Sequence, residues 1–333
     1  MEDQAEKLRE IMRQRKNTQN ASVQEMSRND KYGGSASGIN AGGGRGSRQQ
    51  EPSAGGSTAG GNLAGGKKKT RIITITSGKG GVGKTNLSVN MAIAFSRLGK
   101  KVVVMDADLG LANVNVLLKM LPDYNLYHVI KRQKTIREIL VETEYGISII
   151  AGASGFSQIV NMNEQERLDF IDELDTLSYA DIIIIDTSAG VSPNVLDFIA
   201  AADDAIIITT PEPTAIADAY SIIKIIATEY DTINLDLKLV VNRAKSASEA
   251  KNVADRMINI AGQYLYLKMD YLGFIYDDTT VHTSVRQQKP FMVIDPKCRA
   301  SICIQHLAER MDKSKLADSG GIGAMFRKIF SRS

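Results

Sequence analysis

Residues 71–77, Arg-Ile-Ile-Thr-Ile-Thr-Ser, have the make-up of a buried strand, and they run directly into Gly78-Lys79-Gly80-Gly81-Val82-Gly83-Lys84-Thr85 before a helical apolar pattern takes over from Lys84 to Leu98. A strand, a glycine-rich turn and a helix in that order leave the chain few alternatives. The glycines let the backbone curl so that successive N–H groups point at one anion, and the helix N-terminus adds its partial positive charge. Lys84 can then reach the β- and γ-phosphates of a nucleotide, and the Thr85 hydroxyl can ligate Mg²⁺, with Asn86 next along the helix. The spacing predicts a phosphate-binding loop over residues 78–86, and Lys79 adds a second, less usual lysine at its start.

The rest of the core alternates in the same way. Apolar strand-like runs occur at 71–76, 101–106, 146–151, 181–186, 205–209, 235–242 and 270–275, separated by helical periods at 84–98, 163–177, 193–201, 214–228, 246–264 and 297–311. An unbroken run such as Ile182-Ile183-Ile184-Ile185 suits a strand covered on both faces. The expected fold class is α/β, a doubly wound and mostly parallel sheet of the P-loop NTPase type.

Outside this core the composition changes twice. Residues 1–16 carry Ala5, Leu8 and Met12 on one side of a short amphipathic pattern, which is too short to be a stable helix alone. Residues 17–66 are rich in Gly, Ser, Asn and Gln and cannot bury enough apolar surface to fold, so they read as a flexible tether with a reach of about 40 Å. The core is expected over 67–312. After a polar break, residues 313–333 place Ile322, Met325, Phe326, Ile329 and Phe330 at helical spacing, with Arg327 and Lys328 on the other face. That pattern reads as an amphipathic helix lying on an anionic membrane surface, and the Gly-rich hinge before it argues against docking on the core.

Composition excludes several classes. The chain has 333 residues with 43% hydrophobic content but no run long enough to span a bilayer, and its charged start is unlike a signal peptide, so a cytoplasmic location is expected. Cys298 and Cys303 match neither a zinc pair nor a CxxC redox pair and read as buried free thiols, which argues against electron transfer or metal handling. A net charge of +3 gives no argument for nucleic acid, and Lys67-Lys68-Lys69 reads as a solvated flank.

Two acidic sites accompany the loop. Asp186 closes the isoleucine run and opens Asp186-Thr187-Ser188-Ala189-Gly190, a metal-holding carboxylate followed by a turn whose Gly190 amide can approach a γ-phosphate. Asp106 and Asp108 sit two residues apart at the end of another strand, where ligands gather in this architecture.

Taken together, KGGVGKT from Lys79, Asp106-Ala-Asp-Leu-Gly-Leu-Ala-Asn113 and Thr209-Thr-Pro-Glu-Pro-Thr-Ala215 resemble the deviant Walker A ATPases of the MinD/ParA family. The last two, with Asp218-Ala-Tyr220 following the second, and above all Asp3-Gln4-Ala5 with Leu8-Arg9, narrow the resemblance to the flagellar-number regulators of the FlhG (FleN/YlxH) branch. The resemblance implies an ATP-dependent homodimer with ATP and Mg²⁺ as cofactors. Lys79 would reach the partner's nucleotide, Asp108 would orient the attacking water, and Asp106 would support the lysine and metal network. Asn113 would bond across the dimer, while Asn242, with Arg243 beside it, would read adenine. Asp277 and Asp278 after the last strand have two readings, an addition to the base site or an ordinary solvated turn. The branch further implies that Asp3, Gln4, Leu8 and Arg9 contact the signal-recognition-type GTPase FlhF. Flagellar C-ring proteins, an anionic membrane and, in some bacteria, a flagellar transcriptional activator are the other implied partners. Asn115, Ser188 and Tyr276-Asp277-Asp278 depart from the family pattern, the first two at positions bearing on hydrolysis rate. Division-site placement and DNA segregation are the competing roles within the same family.

Overall fold

The computed structural model describes residues 70–108, 113–152, 162–230, 235–314 and 320–331. The N-terminal peptide with Asp3, Gln4, Leu8 and Arg9, the tether and Lys67-Lys68-Lys69 lie outside the described residues.

Strand β1 (Arg71–Ser77) leads through the glycine loop into helix α1 (Lys84–Arg97), and β2 (Val102–Ala107) follows. Three short helices come next, α2 (Asn113–Leu117), α3 (Leu126–Ile130) and α4 (Ile136–Ile139), then β3 (Leu140–Glu142), β4 (Ser148–Ile150) and α5 (Glu164–Asp175). The second half runs β5 (Ile182–Ala189), α6 (Pro193–Ala201), β6 (Asp204–Thr209), α7 (Pro213–Glu229), β7 (Asp236–Ala244), α8 (Ala247–Leu265) and β8 (Asp270–Tyr276). Helices α9 (Thr279–Gln287), α10 (Phe291–Ile294), α11 (Arg299–Lys313) and α12 (Gly321–Phe330) complete it.

The strands form one sheet in the order β3-β4-β2-β5-β1-β6-β7-β8. Every pairing is parallel except β3 with β4. Alternate side chains along each strand serve opposite faces, so Ile182 and Ile184 join Ile73 and Ile75 beneath α1 and α11, while Ile183 and Ile185 join Ile72 on the other face. Helices on both faces are why the isoleucine run has no polar alternation. A third cluster packs α6, α7 and α8 on the β6–β7 half of the sheet. The doubly wound, mostly parallel sheet and the buried free thiols of Cys298 and Cys303 agree with expectation. Cys298 caps α11, its sulfur accepting from the Ser301 amide at 3.4 Å.

The C-terminal segment differs from expectation. Helix α12 forms, but its apolar face is packed on the domain: Ile322, Met325, Phe326 and Phe330 are buried, and Ile329 is partly so. Phe326 stands edge-on to Phe170 of α5 at 5.5 Å and to Phe198 of α6 at 6.0 Å. Asp175 accepts the Gly323 amide at 3.1 Å and faces Arg327 at 3.4 Å. Amphipathic periodicity says that one face leaves water; it does not say whether lipid or protein receives it.

Candidate nucleotide and metal site

The site follows from strand order. Because β5 lies between β1 and β2, Asp186 stands in register with Ile75 on one side and with Asp106 on the other. The phosphate loop, Asp186 and Asp106 therefore meet at the C-terminal ends of three adjacent strands, the ligand-binding edge of such a sheet.

The loop has the backbone that anion binding requires. Gly83 adopts φ 102°, and an added Cβ there would lie 2.4 Å from the Asn242 amide nitrogen. At Gly78 an added Cβ would lie 2.2 Å from the backbone of Asp218, so α7 can press against the loop only because no side chain intervenes. Helix α1 starts at Lys84 with Gly83 as its cap and no side chain on the first amides, which leaves its positive end open to an anion.

Lys84 is buried, and its charge acts on Asp186. Thr85 donates to Asp186 Oδ2 at 2.7 Å and Ser88 donates to Asp186 Oδ1 at 2.9 Å, so both carboxylate oxygens are fixed from one face of α1. Burial raises the Asp186 pKa above the ordinary carboxylate range even though Lys84 pulls the other way. Burial first, and the charge of Asp186 second, push Asp106 up to about 7. Two buried carboxylates, a threonine hydroxyl and a single lysine make an oxygen-rich, under-neutralised site, which is the donor set a hard cation such as Mg²⁺ prefers. Thr85, Asp186 and Asp106 fit the metal they are expected to hold, directly or through water.

Asp106 also organises the switch segment. It accepts the Asp108 amide at 2.9 Å and the Val114 amide at 3.1 Å, tying the end of β2 to the start of α2. Asn113 donates to Asp108 at 2.8 Å, so within the single chain it holds the carboxylate expected to orient water.

Other expected residues lie at the site with different partners. Lys79 reaches Glu212 at 3.2 Å and Thr214 at 2.8 Å, both at the start of α7 in the same chain, instead of projecting away from it. The Gly190 amide donates to the Ser77 carbonyl at 2.9 Å and is not turned to the loop's cavity, because β5 keeps pairing with β1 to its end. Asn242 donates to the Val82 carbonyl at 2.7 Å and Arg243 to the Gly81 carbonyl at 2.9 Å; both brace the back of the phosphate loop. Asp278 caps α9, accepting the Thr280 amide at 2.8 Å, and also accepts the Ala300 amide at 3.2 Å, so its carboxylate has a structural use.

Ser88, Glu212 and Thr214 carry roles that the motif reading assigned to none of them. Ser88 was reachable from spacing, since a residue four positions after Lys84 and three after Thr85 shares their helix face. Glu212 lies in a motif that resembled the family, but its contact with Lys79 spans 133 residues of sequence and no local period encodes it.

This arrangement performs phosphoryl transfer by position and charge. Loop amides and Lys84 would take up phosphate charge, Asp186 with Thr85 would hold the metal, and Asp108, held by Asn113, is the carboxylate expected to orient water. Bound Mg²⁺ would supply charge neutralisation for the phosphate oxygens.

The comparisons agree with the geometry. The model of the CobQ/CobB/MinD/ParA nucleotide binding domain matches residues 73–291. The antiactivator FleN of Pseudomonas aeruginosa is 33% identical over 243 residues, covering 73% of this chain and 86% of that protein. The flagellum site-determining protein YlxH of Helicobacter pylori is 37% identical over 244 residues, covering 73% of this chain and 82% of that one. The solved structure of the septum site-determining protein MinD of Pyrococcus horikoshii, complexed with Mg-ADP, aligns at TM-score 0.58 and 24% identity over 73% of this chain and 96% of that one, a likeness of fold. With its loop, its paired buried carboxylates and a family model covering most of the folded region, the chain belongs to the MinD/ParA nucleotide-binding family, as a Mg²⁺-dependent ATPase.

Proposed function

We propose that this ATPase is a nucleotide-driven switch that sets the number or placement of flagella. The observation that carries the reading is its similarity to two flagellar proteins, FleN and YlxH, at 33% and 37% identity. In this reading ATP promotes a homodimer, with Lys79 exchanging Glu212 for the nucleotide held by the second copy. Hydrolysis then returns the single-chain state, and the site's small set of charges suits a slow timer. The residues that departed from the family pattern, Asn115 and Ser188, flank this chemistry without supplying a phosphate or metal ligand.

The proposed partners extend the reading. Residues 1–16 contact the GTPase FlhF, other surfaces contact C-ring proteins, and a flagellar transcriptional activator is a further partner in some hosts. The dimer sits on the cytoplasmic face of the membrane through Ile322, Met325, Phe326, Ile329 and Phe330. Because that face of α12 is packed against Phe170 and Phe198, membrane contact requires the helix to leave the domain, and two helices on one dimer then bind far better than one. ATP-dependent sedimentation with anionic vesicles, lost on deletion of residues 322–333, is the expected result; sedimentation of the truncated protein would remove the anchor from the proposal.

Flagella and minicells counted by electron microscopy in a strain lacking the protein test the role itself. Altered flagellar number with normal division supports it. Minicells with unchanged flagella would establish division-site placement instead, and anucleate cells would point to DNA segregation.

A further inference from the structure

The sheet ends at β8, whose outer edge has no strand neighbour among the described residues. Between this edge and the exposed face of α11 runs an apolar groove of about 580 Å³, separate from the phosphate loop. Gly273 lines the groove where β8 and α11 come close: its φ is 150°, and an added Cβ would meet Leu307 of α11 at 2.7 Å. The register of β8 on β7 slips beside it, with Leu239 opposite Tyr271 and Val240 opposite Gly273, which re-aims the strand. Half-buried Tyr271, Phe274 and Tyr276 form the strand wall, and Ile302, 45% exposed, stands on the helix wall.

Backbone and charge both say what belongs there. The Tyr271 carbonyl is turned to the groove, where Arg310 donates to it at 3.1 Å, a side chain serving an edge position that a strand would otherwise serve. The Tyr271 hydroxyl is buried and has no hydrogen-bond partner among the described residues. Along the rim Arg299, Arg310 and Lys313 form no ion pair among the described residues, and Arg299 lies over the Tyr276 ring at 3.6 Å. Among the described residues Glu309 is the one carboxylate lining the groove, and it already accepts from Gln305 at 3.0 Å. A second copy of the chain placed edge to edge would bring two such cationic rims together. An acidic partner meets no such cost.

We infer that the β8–α11 groove is a docking site for an extended, acidic segment of another protein, which adds as a strand to β8 while its apolar side chains enter the groove. Strand addition draws affinity from main-chain hydrogen bonds and specificity from alternate side chains. The uncompensated arginines and lysine select against basic segments and speed encounter with acidic ones.

The test uses the full chain with Mg²⁺ and ADP and a short fluorescent peptide alternating Val, Phe or Ile with Asp or Glu. Expected are saturable binding that weakens with salt, slower amide exchange across residues 270–276, and loss of binding when the peptide's pairing amides are N-methylated. The double variant R299E/R310E is expected to weaken binding by at least about tenfold while ATP hydrolysis, which shows the variant folded, is unchanged. The inference is overturned if the peptide shows no saturable binding, if the N-methylated peptide binds equally well, or if its lysine counterpart binds as tightly. Displacement of the peptide by phosphatidylglycerol vesicles, with no protection of β8 amides, would reassign the groove to lipid.

Discussion

The two ends of the central strands treat charge in opposite ways. At their N-terminal end Asp204 of β6 is enclosed by cations: Arg71 of β1 donates to it at 2.6 and 2.9 Å, and Lys238 of β7 reaches it at 2.9 Å. Arg71 also donates to the Ser314 hydroxyl at 2.8 Å just past α11, so one buried group ties β1, β6, β7 and the end of α11 together. At the C-terminal end Asp106 and Asp186 are buried with Lys84 as their near cation, and burial raises both pKa values. A fold that encloses Asp204 with two buried cations at one end could enclose the acidic pair in the same way at the other. The imbalance at the nucleotide end marks where the chain leaves charge for a ligand to complete.

The largest effect expected from that imbalance is on chemistry. Lys84→Ala removes the cation that faces both the metal site and the phosphates, and phosphate release at saturating ATP and Mg²⁺ is expected to fall by about 10³-fold. If the rate stays within about tenfold, the loop amides carry the phosphate charge and the lysine belongs with the structural cations. At the opposite end Asp204→Ala leaves Arg71 and Lys238 buried without their shared anion. The expected loss is about 3–5 kcal/mol of folding stability, read as a fall in the urea midpoint, with nucleotide affinity per folded molecule unchanged.

The third prediction reads the imbalance through pH. Asp106 binds its proton more tightly folded, at about 7, than unfolded, near 3.8. Between those values the folded chain holds more protons, so this group's contribution makes stability fall as pH rises from about 4 to 7, by at most about 4 kcal/mol. Asp106→Asn is expected to abolish that slope and to stabilise the nucleotide-free protein at pH 8. Mg²⁺-nucleotide is expected to shrink the difference between variant and parent, because the metal supplies the missing positive charge. Parallel pH profiles for parent and variant would place Asp106 among the satisfied carboxylates.

The sequence revealed these two ends unequally. The phosphate loop, Asp106 and Asp186 were legible because each stands at a strand terminus whose period and composition are local. The ladder Arg71–Asp204–Lys238 was not, since it joins residues from three strands whose adjacency depends on sheet order, and parallel strands carry no turn signal that reveals their neighbours. Lys79 shows the same limit within the site: its loop identified it, while its partner Glu212 depended on where α7 begins. Asn242 was expected to read adenine, and its contact with the Val82 carbonyl depends on an orientation that spacing does not record. For α12 the apolar face was legible, and what covers it was decided by Phe170 and Phe198, far away in sequence.

The smallest effect concerns Asp175, which belongs to the neutralised class although it lies near the surface. It ends α5, accepts the Gly323 amide and faces Arg327, so it joins the first turn of α12 to the domain. Gly323 permits this approach, since an added Cβ there would sit 2.1 Å from the carboxylate. The exposed ion pair is worth little, and the amide bond behaves as a helix cap, so Asp175→Ala is expected to cost about 1 kcal/mol. That loss should appear as faster amide exchange in α12 with little change in the rest of the sheet. The buried ladder, by contrast, should fail globally when broken. If Asp175→Ala lowers the global midpoint as much as Asp204→Ala does, α12 is part of the core's cooperative unit, and any release of its apolar face would have to work against the whole fold.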